Sequence, residues 1–132
     1  MKQYILITGA SSGIGYEMAQ QLAALKYNLI LTARSEDKLA AMQQELSSKY
    51  GITVHYIAKD LSKTEQAIQL FNEIKSANYQ VSHLVNNAGF GDYGSFLETS
   101  LEKELNMIDL NITSLVILTK LFAQDMVARK SG

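Results

Sequence analysis

Glycine, hydroxyl and carboxamide side chains gather at the ends of short apolar runs in this 132-residue chain, and those ends are where chemistry is to be sought. The first cluster reads Thr8-Gly9-Ala10-Ser11-Ser12-Gly13-Ile14-Gly15, after the apolar run Tyr4 to Thr8 and before a helical pattern. Glycines there let the backbone turn sharply, approach a pyrophosphate closely and pack helix on strand without an intervening Cβ. The helix N-terminus that follows offers free N–H groups and a positive dipole end to phosphate oxygens. Strand before and helix after make this turn a nucleotide-binding candidate. A second run, Asn28 to Ala33, ends at Arg34 and Ser35. An acidic residue at that point would hold both adenosine ribose hydroxyls and repel a 2′-phosphate, whereas a guanidinium can pair with one. NADP is therefore expected over NAD. Lys59-Asp60-Leu61-Ser62 follows a third run, where Asp60 reads either as an acceptor for an adenine amino group or as a turn residue. Asn86-Asn87-Ala88-Gly89 follows a fourth. Paired carboxamides are poor strand formers, so they are expected to hold something, either neighbouring backbone or a cofactor's ribose.

The elements that must position these groups follow from periodicity. Strands are expected at Tyr4–Thr8, Asn28–Ala33, Thr53–Ala58 and Val81–Val85, each a run apolar enough to be buried on both faces. Between them lie helical patterns: Ile14, Met18, Leu22 and Leu25 in the first, then Leu39, Met42 and Leu46 after a Ser35 cap, with Gly51 as the stop. Ser62 and Glu65 suggest a capping box for a third helix with Ile68, Phe71 and Ile74 inward. Thr99 and Glu102 suggest another, opening one long helix that runs toward Ala128 without Pro or Gly. Strand alternating with helix predicts an α/β doubly wound parallel sheet of Rossmann type, with strand order 3-2-1-4 over a single domain, residues 1–132.

Composition narrows the functional classes. Twelve Lys and Arg against thirteen Asp and Glu leave a net charge of −1, with no basic block for nucleic acid or a membrane surface. The absence of Cys removes disulfides and thiolate chemistry. His55 and His83 have no partner at metal-ligand spacing, so no metal site is expected. No stretch is read as nearing the span of a membrane helix, and a cytoplasmic protein is expected. Gly91 and Gly94, flanking Asp92 and Tyr93, read as a loop of the kind that carries specificity.

Together TGASSGIG, TAR after strand two, DLS after strand three, NNAG after strand four and Asn111 in the long helix resemble the short-chain dehydrogenase/reductase family, in its single-domain short form, over the whole chain. The resemblance implies a Rossmann fold, a nicotinamide cofactor, hydride transfer between a small-molecule carbonyl and an alcohol, and a homo-oligomer. It assigns Gly9, Ser11, Ser12, Gly13, Ile14 and Gly15 to the pyrophosphate turn, Arg34 to the 2′-phosphate, Asp60 and Leu61 to the adenine, and Asn87, Ala88 and Gly89 to the adenosine and nicotinamide ribose. Members of the family work with a Tyr and a Lys four residues on, helped by a Ser and an Asn. None of the seven Tyr here has Lys at that distance, so only Asn111 is assigned to the catalytic set. The other three are expected after Gly132, ahead of which the chain reads as an N-terminal portion stopping before strand five. The alternative is a non-catalytic NADP-binding or redox-sensing module on the same fold.

Overall fold

A computed structural model describes residues 1–132. Its strands are β1 (Gln3–Thr8), β2 (Leu29–Ala33), β3 (Val54–Ala58) and β4 (Gln80–Val85). All pair in parallel, in the order β3-β2-β1-β4, with Ile7 of β1 opposite Leu31 of β2 and Val85 of β4. Between them run α1 (Gly13–Ala24), α2 (Glu36–Tyr50) and α3 (Thr64–Ser76). After β4, the helix α4 (Leu101–Ile108) passes through a π turn (Asp109–Thr113) into α5 (Ser114–Ala128).

The pleat of β1 divides its side chains between two cores. Ile5 and Ile7 join Leu29, Leu31 and Val54 beneath α1 and α2, while Tyr4 and Leu6 join Ile30 and Val81 beneath α3 and α5. Helices on both faces make the sheet doubly wound. A central-strand side chain such as Leu6 or Leu31, fully buried, contributes about 1.5–3 kcal/mol over leaving it exposed. The α2 face Leu39, Met42 and Leu46 is buried as expected, and Gly51 ends that helix at φ +66°. A left-handed C-terminal residue is the conformation for which glycine is suited.

Other helical expectations are corrected. In α1 the inward residues are Gly15, Ala19 and Ala23, and Ile14 and Leu25 are exposed. Ala19 and Ala23 pack in the core on the sheet, and Gly15 lies against the turn after β1. In α3 the buried residues are Ala67, Leu70 and Ile74, while Ile68 is 46 % exposed and Phe71 leans edge-on against Phe122. Ser62 does not cap α3, which starts at Thr64; its hydroxyl donates to Asp60 Oδ1 at 2.6 Å instead. Nor does Thr99 cap α4. Ser100 Oγ accepts from Lys103 N–H at 3.3 Å, and Thr99 donates to the Glu104 carboxylate. Ser35 sits at the N-terminal boundary of α2, but its hydroxyl caps nothing.

The long helix also corrects the reading of the chain's hydropathy. Leu101–Ala128 is 28 residues with a window of mean hydropathy 1.4, long and apolar enough to cross a membrane by length and composition. Here one stripe of it lies on the sheet layer, with Ser114, Leu118 and Phe122 buried. The Ser114 hydroxyl donates to Leu61 C=O at 2.5 Å. Leu101, Leu105, Ile112 and Val116 face outward.

Candidate functional site

The C-terminal ends of the parallel strands open into a cleft of about 1070 Å³. Its floor and walls come from the turns after β1, β2, β3 and β4, the edge where ligands bind in open α/β sheets. Gly9, Ser11, Ser12, Gly13 and Ile14 line it, with Arg34, Asp60, Leu61, Asn87, Ala88 and Gly89. Residues far apart in sequence are thus brought to one surface. Two of the expected site residues stand behind that surface, and both do structural work.

Gly15 is one. A Cβ there would collide with Gly9 C=O and the Asn87 amide, so the position is a contact between helix and turn. Gly9 is nearly as confined, since a Cβ would come within 2.9 Å of Ala88 Cα, and its φ is +61°. Gly13 differs. Its φ is +57° and a Cβ would meet nothing within 4 Å, because that side opens on the cleft. Bare backbone facing open space at a helix N-terminus, with Ser11 and Ser12 beside it, fits a phosphate-bearing ligand.

Asn111 is the other. It lies in the π turn, and its amide forms a reciprocal pair with the main chain of Phe90: Oδ1 accepts from Phe90 N–H at 3.0 Å and Nδ2 donates to Phe90 C=O at 2.7 Å. The loop leaving β4 is thereby fixed to the helix beyond it. π turns inside α-helices are frequent at functional sites.

The carboxamide pair has a similar answer. Asn87 Nδ2 donates to Thr8 C=O at 3.0 Å and to Gly9 C=O at 3.1 Å. Asn86 Nδ2 reaches the Thr119 hydroxyl at 2.9 Å. Of the two partners the sequence left open, neighbouring backbone is the one Asn87 holds. Thr8, buried at the end of β1, completes the clamp: its Oγ1 accepts from both Asn87 N–H and Ala88 N–H at 2.9 Å. Sequence reasoning gave Thr8 no role, although a hydroxyl ending a buried apolar strand was the available signal. It also passed over Lys38, Lys59, Phe90, Lys103, Asn106 and Leu110, which line the cleft as well.

Charge is distributed unevenly along the cleft. Asp60 Oδ1 accepts from Ser62 N–H at 3.1 Å as well as from its hydroxyl. Burial pushes the Asp60 pKa upward, but these two hydrogen bonds and the nearby Arg34 and Lys63 charges outweigh it and hold the carboxyl below its ordinary value. Lys103 pairs with Asp92 at 3.1 Å, tying the loop after β4 to α4. That hydrogen bond comes first among the causes that lower the Asp92 pKa.

The short chain dehydrogenase family model matches residues 3–132. The chain belongs to this family. A very-long-chain 3-oxoacyl-CoA reductase of Candida glabrata is 38 % identical over 124 residues, covering 91 % of this chain and 35 % of that protein. Among solved structures, a short-chain dehydrogenase from Sphingobium yanoikuyae in complex with NADPH superposes with a TM-score of 0.91 at 30 % identity, covering all of this chain and 51 % of that one. An alcohol dehydrogenase from Thermococcus sibiricus, complexed with 5-hydroxy-NADP, gives a TM-score of 0.89 at 34 % identity, over 99 % of this chain and 55 % of that one. The chain therefore spans little more than a third of that curated relative and about half of those solved structures.

Proposed function

We propose that this chain is the nucleotide-binding part of an NADP-dependent short-chain oxidoreductase, whose reaction interconverts a small-molecule carbonyl and an alcohol. The observation that carries the reading is the position of Arg34. An unpaired guanidinium stands at the end of β2, on the same cleft as the open Gly13 turn and with no acidic residue in its place. In this reading Gly9, Ser11, Ser12, Gly13 and Ile14 receive the pyrophosphate, and Gly15 lets α1 approach closely enough to aim its N-terminus at it. Arg34 takes the 2′-phosphate, Asp60 and Leu61 border the adenine, and Ala88 and Gly89 border the ribose with Asn87 holding their turn. Asn111 serves the catalytic set by fixing the main chain at Phe90. When bound, the nicotinamide supplies or accepts the hydride, while the protein binds, orients and excludes water. The NADPH and 5-hydroxy-NADP carried by the two solved relatives support the choice of dinucleotide.

Fluorescence titration of the chain with NADPH and with NADH tests this reading. Tighter binding of NADPH is expected. Equal affinity for both would overturn the cofactor assignment, and no binding of either would overturn the site.

A further inference from the structure

Four basic side chains line the cleft, Arg34, Lys38, Lys59 and Lys103. Two are already committed: Lys59 Nζ lies 2.5 Å from Glu73 and Lys103 Nζ lies 3.1 Å from Asp92. Arg34 and Lys38 have neither an ion pair nor a side-chain hydrogen bond. Both stand at one corner, the passage from β2 into the first turn of α2, beside the Ser35 hydroxyl that caps nothing. Glu36 and Asp37, their neighbours in sequence, lie outside the lining. The free positive charge of the cleft is therefore concentrated at its β2 corner.

A phosphate monoester carries a charge of about −1.5 to −2 at neutral pH. One guanidinium cannot balance it, and Arg34 is also drawn on by the Asp60 carboxylate across the corner. The Gly-rich turn from Gly9 to Gly15 contains no basic residue that could make up the difference. Among the cleft's lining residues, Lys38 is the one remaining uncommitted cation. We propose that Lys38 supplies the second positive charge of the 2′-phosphate site and, with Arg34, sets the preference for NADP over NAD. This rests on the reading that the cleft takes a nicotinamide dinucleotide. An ammonium on a flexible stem acts as a point charge and needs no fixed fork geometry, so an exposed lysine suffices. Being exposed, it is also screened, and its contribution falls with added salt.

The test is a fluorescence titration of the full 132-residue chain with NADPH and NADH at low and moderate salt, for the wild type, Lys38→Gln, Lys38→Arg and Arg34→Gln. Lys38→Gln should weaken NADPH about fivefold at low salt, the upper range for an exposed pair. It should flatten the salt dependence and leave NADH unchanged, so NADH binding also reports that the variant is folded. Lys38→Arg should keep wild-type affinity for both. An unchanged NADPH affinity in Lys38→Gln, or an equal loss for NADH, overturns the role of Lys38. If Arg34→Gln weakens NADPH while Lys38→Gln does not, the cofactor reading stands and Lys38 alone is dismissed. A wild type that does not prefer NADPH overturns both.

Discussion

Replacing Asn87 by Asp isolates the clamp beneath the cleft. The side chain keeps its size and shape, so no cavity forms, but the amide that donates to Thr8 C=O at 3.0 Å and Gly9 C=O at 3.1 Å becomes an acceptor. Two neutral hydrogen bonds at about 0.5–1.5 kcal/mol each are lost, roughly 1–3 kcal/mol together. A carboxylate oxygen is also pressed against two carbonyl oxygens in a half-buried turn, which brings the expected loss at pH 7 to about 2–4 kcal/mol. At a urea m value of about 1–3 kcal/mol/M, the unfolding midpoint should fall by roughly 0.7–4 M. The loss should depend on pH with a defined sign. The carbonyls favour the protonated acid, so the new carboxyl titrates above its unfolded value of about 3.9. Stability is then retained below that value and lost as pH rises through the folded pKa, so the penalty measured at pH 7 should shrink toward pH 4. Asn86→Asp is the control. That exposed amide reaches only the Thr119 hydroxyl, and its loss should be within about 0.5 kcal/mol. Equal losses for the two variants, or a penalty at Asn87 that does not shrink in acid, would refute the clamp.

Arg34→Ala should weaken NADPH binding by about 1–3 kcal/mol and leave NADH nearly unchanged in the same titration; equal losses would remove the 2′-phosphate from this corner. Gly15→Ala should destabilise the chain by about 1–3 kcal/mol in urea unfolding, because the new methyl meets Gly9 C=O and the Asn87 amide; a neutral result would show that α1 can move away at no cost. His55 is packed against Tyr79, with ring centroids 4.2 Å apart, and beside Tyr4. Burial, and after it the Lys2 charge, lowers its pKa below the usual 6.5. The unfolded chain therefore takes up this proton first, and the contribution is present above pH 6.5 and lost as pH falls through the folded pKa. His55→Phe should flatten the fall in Tm between pH 7 and pH 5, and an unchanged slope would exclude His55 as its source.

The sheet was readable because its strands are covered on both faces. Such strands need apolar residues at every position, so β1 and β2 stand out as unbroken runs, and their observed ends lie within one residue of those expected. Gly51 was readable for an equally local reason, the left-handed stop it provides. The inward face of α1 was not. A search for large apolar residues at helical spacing follows Ile14, Met18, Leu22 and Leu25, whereas the buried positions are Gly15, against the turn after β1, and Ala19 and Ala23, in the core on the sheet. The same displacement from Ile68 to Ala67 and Leu70 occurs in α3. Capping patterns failed where the hydroxyl was turned elsewhere and the helix began later, as when Ser62 donates back to Asp60 and α3 starts at Thr64.

At the cleft, sequence position was legible but orientation was not. Arg34, Asp60 and Asn87 each follow a strand of a parallel sheet, and topology alone brings such residues to one edge. Residue type could not say which of them face a ligand. The sequence left Asn87 open between neighbouring backbone and a ribose, and the resemblance alone placed Asn111 in the catalytic set; both spend their amides on main-chain atoms, Asn87 beneath the turn after β1 and Asn111 at Phe90. Thr8 does the same from within the strand. The consequence is a division of labour. Side chains at the strand ends fix the backbone of two facing turns, and that backbone, bare at Gly13, presents itself to the open cleft. On the proposed reading, a scaffold held this way would meet the ligand already ordered, and binding would not carry the entropy cost of organising those turns. On the same reading, the residues left free, Arg34 and Lys38, need no such fixing, because a charge on a long, exposed side chain can reach a phosphate from a rigid frame.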